Sequence, residues 1–195
     1  MQPGPKIAAQ ELACRRGDRL LFAGLSFELG AGDALHLSGP NGIGKTSLLR
    51  ILAGLLRPFA GEVLRDGSIG MVDGRAALDP QAPLGQALQF WSALDGCTAP
   101  DNHADQLGLG HLLDVPVRYL STGQLKRAAL ARLLAQDAAI WLLDEPLNGL
   151  DIEGVALVEA LVARHCAGGG IALVASHQAI TLPTRDVLAI VDFLL

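Results

Sequence analysis

Residues 39–47 read GPNGIGKTS and follow directly on the apolar run ALHLS. No other stretch limits the possible folds as strongly. The spacing fits G-x-x-x-x-G-K-[ST], in which glycines let successive backbone N–H groups turn inward and ring an anion. Leu48, Leu49, Ile51, Leu52 and Leu55 recur with helical spacing, which predicts a buried helix that Pro58 stops. Its N-terminus adds partial positive charge. Lys45, one of only three lysines in the chain, adds a full one. Strand, glycine loop and helix together predict a phosphate site built from Gly39, Pro40, Asn41, Gly42, Ile43, Gly44, Lys45, Thr46 and Ser47. Lys45 would serve the β- and γ-phosphates of a nucleotide, and the Thr46 hydroxyl could ligate Mg²⁺.

The flanking segments predict the architecture around this loop. From Lys6 to Leu37 the apolar runs RLLFAGLSFEL and DALHLS read as strands broken by glycines. GEVLRDGSIGMVD predicts a short hairpin and a strand. LGQALQFWSAL lies in a proline-punctuated, helical region. AAIWLL and IALVAS are short unbroken apolar runs, which suit parallel strands covered on both faces. IEGVALVEALVARH between them has helical spacing. Alternating strands and helices predict an α/β core with a parallel sheet. The expected organisation is one domain over 1–195, with a core at about 1–74 and 137–195 and a helical sub-lobe at about 75–136.

A phosphate loop needs a metal partner and a base. WLLDEP can supply both, because an acid at the C-terminal end of a buried strand sits where open α/β sheets bind ligands. Asp144 would hold Mg²⁺, and Glu145 could polarise an attacking water. Upstream, LSTGQ places Ser121 as the N-cap of a helix, LKRAALARLLA, whose polar positions are Lys126, Arg127 and Arg132. That helix tip is a second anion site. Two sites on different lobes cannot wrap one nucleotide in cis, so a pair of molecules sandwiching ATP is expected.

Bulk properties narrow the partners. The net charge of −5 gives no support to broad binding of nucleic acid. Cys14, Cys97 and Cys166 are far apart and odd in number, so reduced thiols are expected rather than zinc ligands or a disulfide framework. The opening MQPGPKIAAQELACRR lacks the apolar stretch of a secretory leader. No run reaches the ~18–20 apolar residues that span a bilayer.

In this order, GPNGIGKTS, LSTGQ, WLLDEP, LNGLD and SHQ resemble the full motif set of ABC-type ATPases, over nearly the whole chain. The resemblance implies a P-loop NTPase (RecA-like) fold: a mainly parallel sheet, an N-terminal antiparallel β part and an inserted helical sub-lobe. It implies ATP and Mg²⁺ as cofactors. It matches Ser121 and Gly123 to the signature that contacts a partner's ATP, Asp151 to the loop linking the two sites, Glu145 to the catalytic base and His177 to the switch histidine. CRRGDRLLFAGLSFEL and LARLLAQDAAIWLLDEPLNGLD are similar, more narrowly, to the haem-exporter ATPases of cytochrome c maturation. That likeness implies a second nucleotide-binding subunit, integral membrane partners and a peripheral place on the cytoplasmic face of the inner membrane. The alternatives are the ATPase of another small-molecule exporter or a soluble ABC-type ATPase; a phosphate-loop kinase is disfavoured by LSTGQ.

Two departures stand out. Where the family stacks an aromatic residue on adenine, this chain has CRRGDR, so Arg16 is expected to lie over the base instead. Phe22 falls in an apolar strand pattern and is expected in the core. Near Arg75, where the family places a glutamine, there is a cation, so either Asp73 or Gln81 is expected to take over that contact or the coupling is altered.

Overall fold

A computed structural model describes residues 4–96, 100–184 and 186–194. Cys97 lies outside the described residues. Cys14 and Cys166 are buried and free, as the spacing suggested.

Two sheets form. Strands β1 (Lys6–Arg16), β2 (Arg19–Leu29) and β4 (Ala60–Asp66) make an antiparallel sheet in the order β2-β1-β4. Strands β3 (Ala34–Ser38), β5 (Ile69–Val72), β6 (Ile140–Asp144), β7 (Ile171–Ser176) and β8 (Asp186–Ala189) make a parallel sheet in the order β5-β6-β7-β3-β8. Among the described residues the α-helices are α1 (Lys45–Leu52), α2 (Leu84–Asp95), α3 (Pro100–Gln106), α4 (Thr122–Ala135) and α5 (Ile152–Ala167).

Side-chain alternation explains why the parallel strands are continuously apolar. Ile140 and Leu142 of β6 join a core with Phe22, Leu25, Leu48 and Leu52, under the antiparallel sheet and α1. Trp141 and Leu143 face the other way, into a core with Leu88, Leu130, Val158 and Leu161 from α2, α4 and α5. Every residue of β6 and β7 is buried. A strand covered on both faces cannot alternate apolar with polar. Truncating a fully buried leucine such as Leu142 to Ala costs about 2–5 kcal/mol in such a setting.

Two expectations are corrected. The segment GEVLRDGSIGMVD does not form a hairpin. Its first half, β4, pairs antiparallel with β1, while its second half, β5, enters the parallel sheet beside β6. The exposed pattern of β4 leaves it only an edge position, whereas Ile69–Val72 is apolar enough for the interior of the molecule. The helix after the glycine loop also stops earlier than Pro58. It ends at Leu52, with Gly54 in the left-handed region at φ 76°, where glycine costs least.

The sheet and α4 approach each other closely. A β-carbon at Gly70 in β5 would stand 2.4 Å from Leu133 Cδ1. Arg132, read from sequence as a polar position, lays its guanidinium 3.6 Å from the centre of the Trp91 ring and so joins α4 to α2.

Candidate functional site

Strands β6, β7 and β3 are neighbours and parallel, so their C-terminal ends open on one edge of the sheet. Each delivers part of one site. Strand β3 leads into Gly39–Gly44 and then α1. Strand β6 ends at Asp144, and β7 is followed at once by His177. This is the edge at which open α/β sheets bind ligands.

The glycine loop is shaped by its neighbours as much as by its own residues. Gly44 has φ 122°, and a β-carbon there would meet the Phe22 ring at 3.2 Å. Phe22 is fully buried, as expected, and is the wall against which the loop turns. Leu48 N–H donates to Gly44 O at 2.8 Å, which starts α1. Lys45 is only 5 % exposed. Its Nζ donates to Gly39 O at 2.7 Å and Pro40 O at 3.3 Å, and lies 3.0 Å from Glu145 Oε1. A cavity of about 320 Å³ is lined by Leu21, Asn41, Gly42, Gly44, Lys45, Thr46, Ser47 and Glu145.

Asp144 and Glu145 are adjacent but face different partners. Asp144 Oδ2 accepts from the Thr46 hydroxyl at 2.7 Å. Its Oδ1 is buried without a hydrogen-bond partner. Burial pushes the Asp144 carboxyl above its usual range, against the lowering effect of Thr46. Glu145 has φ 48°, a left-handed conformation that costs a non-glycine residue about 1–3 kcal/mol. Its N–H is tied to Ala175 O at 2.8 Å, which holds it there. The turn swings its carboxylate away from Asp144, towards Lys45 and the Nδ1 of His177, 2.8 Å away. Burial pushes the Glu145 carboxyl up, but Lys45 and His177 together outweigh burial and hold it below the usual range.

A buried carboxylate oxygen without a partner, beside a threonine hydroxyl, suits a hard cation that takes oxygen ligands and keeps several of its own waters. Mg²⁺ fits this pair. Among the described residues no cluster of three His, Cys, Asp or Glu could hold a metal, so any softer, fully protein-ligated ion is unsupported.

The remaining residues of interest lie elsewhere. Ser121 is the N-cap of α4 and closes a capping box. Its Oγ accepts from Gln124 N–H at 3.2 Å, and its own N–H donates to Gln124 Oε1 at 2.8 Å. Asp151 caps α5, its Oδ1 accepting from Gly154 N–H at 2.8 Å. Ser121, Gly123 and Asp151 border one open hollow of about 410 Å³, which shares no residue with the phosphate cavity. Within one molecule, therefore, the two halves of the motif set do not meet.

Arg16 is exposed at the end of β1 and does not line the phosphate cavity. Burial pushes the nearby Cys14 thiol above its usual range, and Ser47 and Arg16 offset this only in part. Gln81 is held by Arg118, and Arg75 is exposed, its N–H donating to Asp73 Oδ1 at 2.9 Å. Asp73 is the one of the three that lines a cavity with Asp144 and Glu145. That cavity also holds Lys126, which sequence spacing marked only as a polar helix position. Its rarity was the available signal: Lys126 is one of three lysines.

The family model described as ABC transporter matches residues 22–148, from Phe22 through the acidic pair. The chain belongs to the ABC transporter family. It is an ATP-binding subunit of that class, an ATPase coupled to transport. The chain is 54 % identical over 187 residues to the cytochrome c biogenesis ATP-binding export protein CcmA of Novosphingobium aromaticivorans, covering 96 % of both chains. It is 51 % identical to the protein of that name from Sphingopyxis alaskensis, covering 93 % of this chain and 95 % of the relative. Among solved structures, cbiO1 of Clostridium perfringens, part of the ABC transporter complex cbiONQ, is similar at a TM-score of 0.72 and 28 % identity, covering 88 % of this chain and 78 % of that one. A protein of Pyrococcus furiosus described as a putative ABC transporter (ATP-binding protein) shares the fold at a TM-score of 0.84 and 22 % identity, covering 97 % of this chain and 100 % of that one. Among the described residues no helix is long and apolar enough to cross a membrane.

Proposed function

We propose that this chain hydrolyses ATP as one of a pair of like subunits docked on integral membrane partners at the cytoplasmic face of the inner membrane, and so powers haem export or delivery for c-type cytochrome biogenesis. The observation that carries the catalytic part is the meeting of Lys45, Glu145 and His177 at three adjacent strand ends. Likeness to the cytochrome c biogenesis export proteins over almost the entire chain supports the cargo and location.

The phosphates of ATP lie against the N–H groups of Gly42–Ser47, with Lys45 Nζ turning from Gly39 O and Glu145 towards the γ-phosphate. Thr46 Oγ1 and Asp144 would hold Mg²⁺, which when bound would offset phosphate charge. Loss of Lys45 as a partner lifts the constraint that holds the Glu145 carboxyl low, so Glu145 gains basicity when substrate is in place. It then orients the attacking water and accepts its proton. His177, held by Glu145 through Nδ1, presents its other ring nitrogen to the γ-phosphate. Ser121 and Gly123 of a second copy close the site from the opposite side, because the hollow they border is separate from the phosphate cavity of their own molecule.

Complementation tests this reading. In cells lacking their own copy of this gene, the parent restores haem staining of c-type cytochromes, and Glu145→Gln does not, although b-type cytochromes persist in both. Normal c-type cytochromes without the gene would remove the cargo assignment.

A further inference from the structure

Between the phosphate cavity and the Ser121 hollow lies a third cavity, of about 290 Å³. It shares Glu145 with the first and Thr122 with the second. Its charged lining is Asp73, Lys126, Asp144 and Glu145. We propose that Lys126 is a positioning residue whose charge draws α4 towards the carboxylates of the metal site across this cavity, and that Mg²⁺ binding at Asp144 would drive it away, passing metal occupancy to the Ser121 tip of its own helix. The proposal rests on the assignment of Thr46 and Asp144 to Mg²⁺.

The charge inventory singles out Lys126. Glu145 is served by Lys45 and His177, and Asp73 by Arg50 at 3.5 Å. Asp144 receives only the Thr46 hydroxyl and keeps Oδ1 without a partner. Lys126 is the cation facing Asp144 across the cavity, and it makes no close ion pair among the described residues. Burial lowers its affinity for the proton, while Asp144, Asp73 and Glu145 act to keep it charged. A divalent ion at Asp144 inverts this relationship. The carboxylate that attracted the ammonium is neutralised, and the ion itself repels it.

The helix can transmit that change. Lys126 sits in the second turn of α4, and the first turn is made rigid by the Ser121–Gln124 capping box. Further along, α4 is anchored by Leu133 against Gly70 and by Arg132 on Trp91. Displacement of Lys126 is therefore felt at the free end, where Ser121 is exposed and Gly123 half-buried.

The test is a Mg²⁺ titration of the full chain with a fixed concentration of a fluorescent, non-hydrolysable ATP analogue. For Lys126→Gln the half-saturating Mg²⁺ falls roughly three- to tenfold, the scale of one partly screened charge. Lys126→Arg keeps the parent midpoint, and analogue affinity in chelator is the same in all three proteins. Hydrogen exchange supplies the positional readout: Mg²⁺ with the analogue changes exchange at the Gln124–Ala128 amides in the parent, and that change is lost in Lys126→Gln. Equal midpoints in a parent that responds to Mg²⁺, or an α4 response that persists in Lys126→Gln, overturn the role of Lys126 alone. A parent whose analogue binding ignores Mg²⁺ overturns the metal site and this proposal with it.

Discussion

Lys45 Nζ and Glu145 Oε1 lie 3.0 Å apart across the ends of two strands, so the cation suited to phosphate and the carboxylate suited to the attacking water neutralise each other. Both are largely shielded from solvent, with side chains 5 % and 19 % exposed. The contact explains how a charged lysine is kept inside a loop with no substrate present. Under the proposed mechanism phosphate would compete with Glu145 for Lys45, and substrate arrival would release the base.

Glu145→Gln should abolish steady-state hydrolysis, with turnover reduced at least about 100-fold, while retaining nucleotide affinity. With the product-forming step blocked, ATP should hold two copies together. Gel filtration with light scattering in the presence of ATP and Mg²⁺ checks this; a purely monomeric profile contradicts the two-copy arrangement.

The same ion pair sets a pH dependence. The folded-state affinity of Glu145 for the proton is depressed, so its contribution to stability is present above the ordinary glutamate value of about 4.3 and is lost as pH falls through the lower folded value. Urea unfolding of the parent and Glu145→Gln should therefore differ at pH 6 in favour of the parent. The two curves should converge as pH drops below about 4.

Asp144 carries the opposite sign. Burial raises its folded value, so the charged carboxylate costs stability once pH exceeds that value, and the cost vanishes below the ordinary aspartate value of about 3.9. Asp144→Asn should stabilise the metal-free protein at pH 7 by about 0.5–2 kcal/mol, with no gain near pH 3.5. It should also lose Mg²⁺-dependent nucleotide binding. Thermal unfolding in chelator and a Mg²⁺ titration read the two effects separately.

Ser121→Ala removes the capping box and should lower stability by about 1 kcal/mol. Placed on Glu145→Gln, it should also prevent the ATP-dependent dimer while leaving nucleotide binding by each monomer unchanged. Ser121→Thr restores the cap, so a dimer recovered with Thr but not with Ala ties the hydroxyl to assembly.

Local pattern carried much of this molecule. The unbroken apolar runs AAIWLL and IALVAS announced strands buried on both faces, and the serine of LSTGQ announced the cap of α4. The glycine loop could be read because its spacing, its single lysine and the preceding strand all lie within a dozen residues. The turn at Glu145 was less visible. Nothing in DEP requires φ 48°; the Ala175 carbonyl on a neighbouring strand does.

By itself the chain made legible most of its strands and helices, the cap of α4 and the glycine loop, because each depends on periodicity or turn chemistry between near neighbours. Tertiary structure decided that β4 leaves β5 for β1, that Lys45 meets Glu145, and that Lys126 faces Asp144 across a shared cavity. These are pairings between segments as many as a hundred residues apart. Their partners are selected by which faces remain to be buried and which charges remain to be balanced once the sheet has closed, and no local spacing encodes that choice.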